Sequence, residues 1–382
     1  MTEQNEGSRR DKIRGCMIGG AAGDALGFAV EFWGESMIFS RYGERGIRKY
    51  EPDRASGKAL ISDDTQMALF TANGLLAGGT RSAVKGVRGR PRDYAAMAYQ
   101  DWLRTQEYSY DEGRYRHPGI CWLLDVPELF DRRAPGNTCL SALTTQRDTG
   151  YVPEDCIREP MNDKKGCGGV MRIAPMGLIA CGRDMKQLDM EGAQIAAVTH
   201  GNSLGYMPAA VVTHIIHSIV YGEKERPLRE IAAEARDTTA EIFSEEAQLP
   251  VMTEIINRAM ELAENGEEDL ENIHRLGEGW VAEETLGIAL YCALRHEDDF
   301  SAGIIAAANH RGDSDSTGAV TGNILGALHG FDAMEEKWKQ DLELYDVILE
   351  MADDLCDAGR MAERGYRDPV WTRKYLDARR KE

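Results

Sequence analysis

The chain has little of what several common protein classes require. Its eight cysteines form no Cys-x-x-Cys pair and no short regular spacing, which argues against a zinc ribbon or a thioredoxin-type motif. Scattered thiols in a long chain fit a reducing, cytoplasmic setting. No apolar run follows a basic N-terminal stretch, Met1 to Arg14 being polar, and no segment offers 18 uninterrupted apolar residues; the expectation is a soluble protein with no membrane partner. Basic residues are in deficit, 45 Lys and Arg against 64 Asp and Glu, for a formal charge of −19. Sequence-independent nucleic-acid binding needs the opposite excess along a face, although a nucleotide can still be held by metal ions, backbone N–H groups and a few basic residues. Alternating β-branched stretches are almost absent, which removes sheet architectures.

What is abundant favours helix. Helical periodicity with many Ala, Leu, Met, Glu and Gln predicts an all-α protein, with helices over 11–32, 63–76, 93–106, 170–180, 187–199, 208–221, 228–243, 252–265, 282–295, 300–309, 316–330 and 342–360. At 382 residues the chain can bury a large core without staples. It reads as one domain, 1–382, with a loop-rich insertion at about 79–165, a C-terminal helical extension at about 331–382, and a monomer as the default state.

Two acidic stretches each open a predicted helix. Ser62-Asp63-Asp64-Thr65 precedes a run of helix formers, and Gly312-Asp313-Ser314-Asp315-Ser316-Thr317 leads into another. A cap needs one Ser or Asp; these stretches hold more. Their hard oxygen donors suit Mg²⁺ or Mn²⁺, and two such mouths point to a shared centre. Asp313 and Asp315 in an extended loop would point to one side, whereas Asp63 and Asp64 on a helix diverge by about 100°. The Asp313-x-Asp315-x-Thr317-Gly318 spacing imitates an EF-hand loop, but Ile324 stands where the bidentate Glu is required. His214-x-x-His217 lacks a further ligand at helical spacing, which excludes zinc.

Glycines recur at spacing four in two predicted helices: Gly15, Gly19, Gly23 and Gly27 in one, Gly318, Gly322, Gly326 and Gly330 in the other. Each costs a helix about 0.8–1 kcal/mol relative to Ala, so close backbone approach is the expected compensation. Packing of the two stripes would bring Asp24 or Glu31 near the second acidic stretch. Another glycine-rich turn, Gly166-Cys167-Gly168-Gly169, precedes a predicted helix and could offer bare N–H groups to an anion.

Gly19 to Gly27 with Glu31, Ser62 to Met67, Gly166 to Pro175, Thr199-His200 and Gly312 to Ser316 occur in that order. Together they resemble the ADP-ribosylglycohydrolase family over roughly residues 12–330. The resemblance implies a compact orthogonal helical bundle, two divalent cations at the base of a cleft, and hydrolysis of the bond between ADP-ribose and an acceptor. It implies Ser62, Asp63, Asp64, Asp313, Asp315 and Ser316 as metal ligands, with Glu31 reaching the same centre. It places Gly166, Cys167, Gly168, Gly169 and Val170 against pyrophosphate or ribose, His200 against a ribose or phosphate oxygen, and Trp280 on the nucleoside. Arg172 is open between a phosphate contact and a structural ion pair.

Cleavage at an anomeric carbon needs an activated water, and Glu31 is the first candidate to orient or deprotonate it, Asp64 the second. Arginine on a protein is the first acceptor the resemblance suggests. Arginine-directed members, however, carry an Asp shortly before a Gly-Asn-Thr element, and here Ala134-Pro135 precedes Gly136-Asn137-Thr138. ADP-ribosyl-serine and acetylated ADP-ribose therefore stay open, with Asp125, Glu128 or Asp131 as substitute carboxylates and Tyr108, Tyr110 and Tyr115 as further acceptor contacts. The competing readings are an ADP-ribose-binding protein without activity and a Mg²⁺-dependent phosphohydrolase.

Overall fold

The computed structural model describes residues 3–87, 89–113, 119–179 and 184–377. Among these every regular element is a helix, and two isolated bridges, Ala59 with Leu342 and Gly166 with Val281, are the only β-type pairings. The all-α expectation holds.

The centre is an antiparallel pair, helices Glu3–Phe28 and Ser314–His329. A Cβ built on Gly15, Gly19 or Gly23 would fall on the carbonyl oxygen of Gly326, Gly322 or Gly318, and a Cβ on any of those three would meet its partner's carbonyl in return. The two backbones therefore touch, as the stripes predict. Asn323 lies over Gly20 and donates to Cys16 O at 2.8 Å, which fixes the register with a buried polar contact. Gly27 faces Ser314, so the end of the first helix meets the start of the second.

Helix Asp63–Lys85 runs well past its predicted end at 76 because Gly78 and Gly79 sit where Tyr94 and Met361 press against the helix. Helix Ser203–Tyr221 is long and apolar enough to cross a membrane, but it is mostly buried inside the fold. His214 on this helix pairs with Asp189 at 2.7 Å, both fully buried, and His217 Nδ1 meets Gly177 O at 3.1 Å; the His-x-x-His motif is structural.

Several boundaries differ from expectation for identifiable reasons. The 79–165 span is not mainly loop: it carries helices Pro91–Glu107 and Asn137–Thr149 and contributes Tyr99 and Trp102 to the core. Within it Tyr110 packs edge-on against Phe130 and donates to Asp125 O at 3.2 Å, while Tyr115 lies outside the described residues. No helix spans 170–180. A single 3-10 turn, Cys167–Gly169, precedes a short helix, Ala174–Leu178, that starts where Pro175 is tolerated in a first turn; Ala180 is outside the described residues. The helix predicted from 342 starts at Tyr345, since Asp341 and Leu344 take left-handed backbone angles, φ 60° and 58°. The C-terminal segment is built into the body of the protein, with Trp371 buried and its indole donating to Thr80 Oγ1 at 3.0 Å.

Candidate functional site

At the shared end of the central pair, three helix termini converge on one cavity of about 530 Å³, a size suited to a small-molecule ligand. Asp24, on the last turns of Glu3–Phe28, does not face the cavity. Its carboxylate accepts from Ser62 N (2.9 and 3.1 Å), Thr65 N (3.1 Å) and Thr65 Oγ1, so it caps helix Asp63–Lys85 from outside and sets the first acidic stretch in place. Ser62 Oγ accepts from Asp64 N at 3.2 Å and is fully buried behind the site, where its hydroxyl bonds the Asp315 carboxylate.

Asp63 and Asp64 diverge as expected. Asp63 Oδ2 accepts from Gly136 N at 3.1 Å while Asp63 N donates to Arg133 O at 3.0 Å, which staples the Arg132–Gly136 loop to the site. Asp64 Oδ2 is buried and has no hydrogen-bond partner. Asp313 and Asp315 are not in an extended loop: Asp313 caps helix Ser314–His329 and Asp315 sits in its first turn, yet the two carboxyl groups meet. Gly312, at φ 125°, passes directly against the Glu278 carbonyl, which accepts from Asp313 N at 2.8 Å; no residue with a Cβ fits that approach.

Glu31, Asp313 and Asp315 bring one carboxylate oxygen each within 4.8 Å of one another, and Glu31 Oε2 is a second buried oxygen without a partner. The six carboxyl groups Asp24, Glu31, Asp63, Asp64, Asp313 and Asp315 are each at most 7% exposed. Burial pushes all six above the usual carboxylate range, Asp24 to about 7 and Glu31 to about 10; for Asp24, Glu31, Asp64 and Asp313 the Asp315 charge is the next cause. An orphaned buried carboxylate oxygen is costly, and a hard divalent cation is the partner this donor set fits.

Against the acids lies the Gly166–Gly169 turn, its Cys167 thiol hydrogen-bonded to the Asp313 carboxyl. Its anion-cradle reading weakens, because Cys167 N–H is already donated to Trp280 O at 3.3 Å and no helix follows directly. Gly166, Cys167 and Gly168 line the cavity with His200, Trp280, Asp63, Asp64, Asp313, Asp315, Ser316 and Glu31; Gly169 and Val170 are packed behind it. Arg172 is fully buried, stacks 4.1 Å over Tyr99 and contacts neither cavity nor carboxylate among the described residues, so it is neither the phosphate contact nor the ion pair considered from sequence. Trp280, 40% exposed, stacks with Phe32 at 6.0 Å on the rim. Sequence reasoning missed Phe32, whose signal was a large apolar residue adjoining Glu31 at a helix end, the exposed rim residue Arg132, and Cys139, buried in the cavity wall.

A sequence profile of the ADP-ribosylglycohydrolase family matches residues 5–365. The chain belongs to that family. Membership makes it an ADP-ribosylglycohydrolase, a hydrolase of ADP-ribose conjugates. It is 26% identical to the human ADP-ribosylhydrolase ARH3, with 90% of this chain and 92% of that protein covered. It is 23% identical to the ADP-ribosyl-[dinitrogen reductase] glycohydrolase of Rhodospirillum rubrum, with 91% and 96% covered. A solved structure described as an ADP-ribosylglycohydrolase-related protein complex superposes with a TM-score of 0.64 at 23% identity, covering 93% of this chain and 99% of that one; the helical architecture is therefore that of this ADP-ribosylglycohydrolase-related fold.

Proposed function

We propose that this ADP-ribosylglycohydrolase depends on two divalent cations, Mg²⁺ or Mn²⁺, and acts in the cytoplasm on an O-linked conjugate, ADP-ribosyl-serine or an acetyl ester of ADP-ribose. The observation that carries the metal dependence is the floor of the cavity, where Glu31 Oε2 and Asp64 Oδ2 are buried without partners among converging carboxylates. Asp63, Asp64, Asp313, Asp315 and Ser316, which line the cavity, would hold the ions, with Ser62 behind them bonded to Asp315. Bound cations would supply positive charge that favours the ionised carboxylates and polarises oxygens at the reacting bond.

Glu31 is the group placed to take a proton from the attacking water, since its free oxygen faces the same floor. Asp64, whose first-turn position also leaves one oxygen unpaired, is the second candidate. The carboxylates offset positive charge that develops on the ribose as the anomeric bond breaks, and Trp280 and Phe32 offer an apolar wall for the nucleoside. Glu31→Gln is expected to lower kcat about 10²–10⁴-fold with KM little changed, measured on whichever conjugate is turned over.

The rim favours an O-linked acceptor over arginine. Ala134 and Arg132 are exposed there, Arg132 has no ion-pair partner among the described residues, and Asp125 and Glu128 do not line the cavity. Asp131 is engaged by Arg133 at 3.2 Å. At the rim a guanidinium acceptor would meet the Arg132 cation, the lining carboxylates being those of the floor. Incubation with ADP-ribosylated arginine, ADP-ribosylated serine and O-acetyl-ADP-ribose, with mass detection of free ADP-ribose, tests this: release from arginine alone would reject the O-linked assignment, and binding without release from any conjugate would favour a non-enzymatic binder.

Thermal stability should report the metals independently. Carboxyls whose folded values are raised bind more protons folded than unfolded, so without cations their contribution is fully present below about pH 4 and is lost as pH rises toward the raised values. Saturating Mn²⁺ at about 100 Kd should add about 2.7 kcal/mol, and the rise in Tm should be larger at pH 8 than at pH 5.5. An equal rise at both pH values would count against binding at these carboxyls.

A further inference from the structure

His200 is the one ring in the cavity wall whose hydrogen-bonding state the surrounding residues set from behind. Its Nδ1 lies 2.8 Å from Thr199 Oγ1. Thr199 Oγ1 in turn receives a hydrogen bond from the Arg172 guanidinium at 2.7 Å. Arginine can only donate, so it takes a lone pair of the Thr199 hydroxyl; of the hydroxyl's two remaining neighbours, the imidazole nitrogen and the Cys139 thiol, the nitrogen is the stronger acceptor, and with the proton directed to it Nδ1 is an acceptor. The ring proton then resides on Nε2. That atom has no partner among the described residues and faces the glycine turn: a Cβ on Gly166 would stand 3.4 Å from Nε2, and one on Gly168 only 2.8 Å from Cε1. Glycine at these two positions leaves the ring edge open to the cavity.

We propose that Arg172 and Thr199 are positioning residues that hold His200 as the neutral Nε2–H tautomer, presenting a hydrogen-bond donor to a ribose or phosphate oxygen of the ligand. The proposal rests on the cavity being an ADP-ribose site. Arg172 suits the task because it is fixed. Its guanidinium stacks on Tyr99, donates to Ile195 O at 3.4 Å and touches Met67 Sδ and Cys139 Sγ at 3.5 Å, with no carboxylate among the described residues to draw it away. A buried cation without a counter-ion is costly, and here it also disfavours a second positive charge: burial and Arg172 lower His200 to about 3. The ring is a donor without being a cation, so the contact does not switch off as pH varies through neutrality.

The test uses the full-length protein labelled with ¹⁵N-histidine, with His200→Gln used to assign the ring signals. Wild type should show Nε2 protonated and Nδ1 unprotonated, and Thr199→Val should disturb that pattern while Thr199→Ser keeps it. In parallel, calorimetry with free ADP-ribose should show about tenfold weaker binding for Thr199→Val and near wild-type binding for Thr199→Ser. A ring protonated at Nδ1 in wild type, or a Thr199→Val protein with unchanged tautomer and affinity, overturns the proposal. If wild type binds no ADP-ribose, the reading of the cavity fails, while the ring signals still decide whether Arg172 and Thr199 set the tautomer.

Discussion

Asp315→Ala is expected to lower conjugate hydrolysis more than about 100-fold, beyond what loss of a supporting group around a metal costs, while making the cation-free protein more stable at pH 8. The two effects run in opposite directions for one reason. Asp315 is the charge that acts most strongly on Asp24, Glu31, Asp64 and Asp313, so removing it relieves repulsion in the empty floor and removes a donor from the filled one. The lost hydrogen bonds, from Ser316 N at 3.0 Å and from Ser62, offset part of the gain. Steady-state kinetics with Mn²⁺ and a melting curve in chelator measure the pair. Retained activity would defeat the metal assignment, and a cation-free variant that melts well below wild type would mean that Asp315 is chiefly structural.

Gly322→Ala should do the reverse, damaging the fold before the chemistry. Its new Cβ would land on the Gly19 carbonyl with Gly20 Cα close behind, and neither backbone can move aside without opening the other contacts along the pair. The expected loss exceeds about 4 kcal/mol, read as a collapsed Tm or insoluble expression. Gly7→Ala supplies the comparison: it lies on the partner helix Glu3–Phe28 with nothing within 4 Å of a new Cβ, and it should gain up to about 1 kcal/mol of helix propensity. Equal stabilities for the two variants would refute backbone contact as the reason for the stripe.

The parts of this protein that sequence made legible were those carried by spacing. Glycines four apart announced the helix pair, and the two acidic stretches announced the floor, because both patterns exceed what a single helix needs. Helix 282–295 was placed without error, its apolar periodicity being uninterrupted. What escaped was set by partners distant in the chain. Gly78 and Gly79 read as a helix end, yet tertiary contact with Tyr94 and Met361 continues the helix through them. Asp24 was expected near the second acidic stretch, and only the position of Ser62 and Thr65 shows it to be a cap. Arg172 invited a phosphate, but stacking on Tyr99 turns it inward. The Ala134 rim was flagged by a missing carboxylate, whereas the exposed Arg132 beside it drew no notice, since a single arginine in a loop has no sequence signature.

The glycine contact between the first helix and Ser314–His329 also sets a timetable for synthesis. Nearly the whole chain separates the two strips, and at roughly 5–20 residues per second on the ribosome the N-terminal helix waits on the order of tens of seconds for its partner. During that interval a bare backbone groove, flanked by Ile13, Ile18 and Leu26 that will later be fully buried, stands open to misassociation. The acids at its end come from both sides of that gap, so the floor cannot be complete before residues 312–316 have been made. Loss of activity in a folding-impaired variant would then precede loss of helix content.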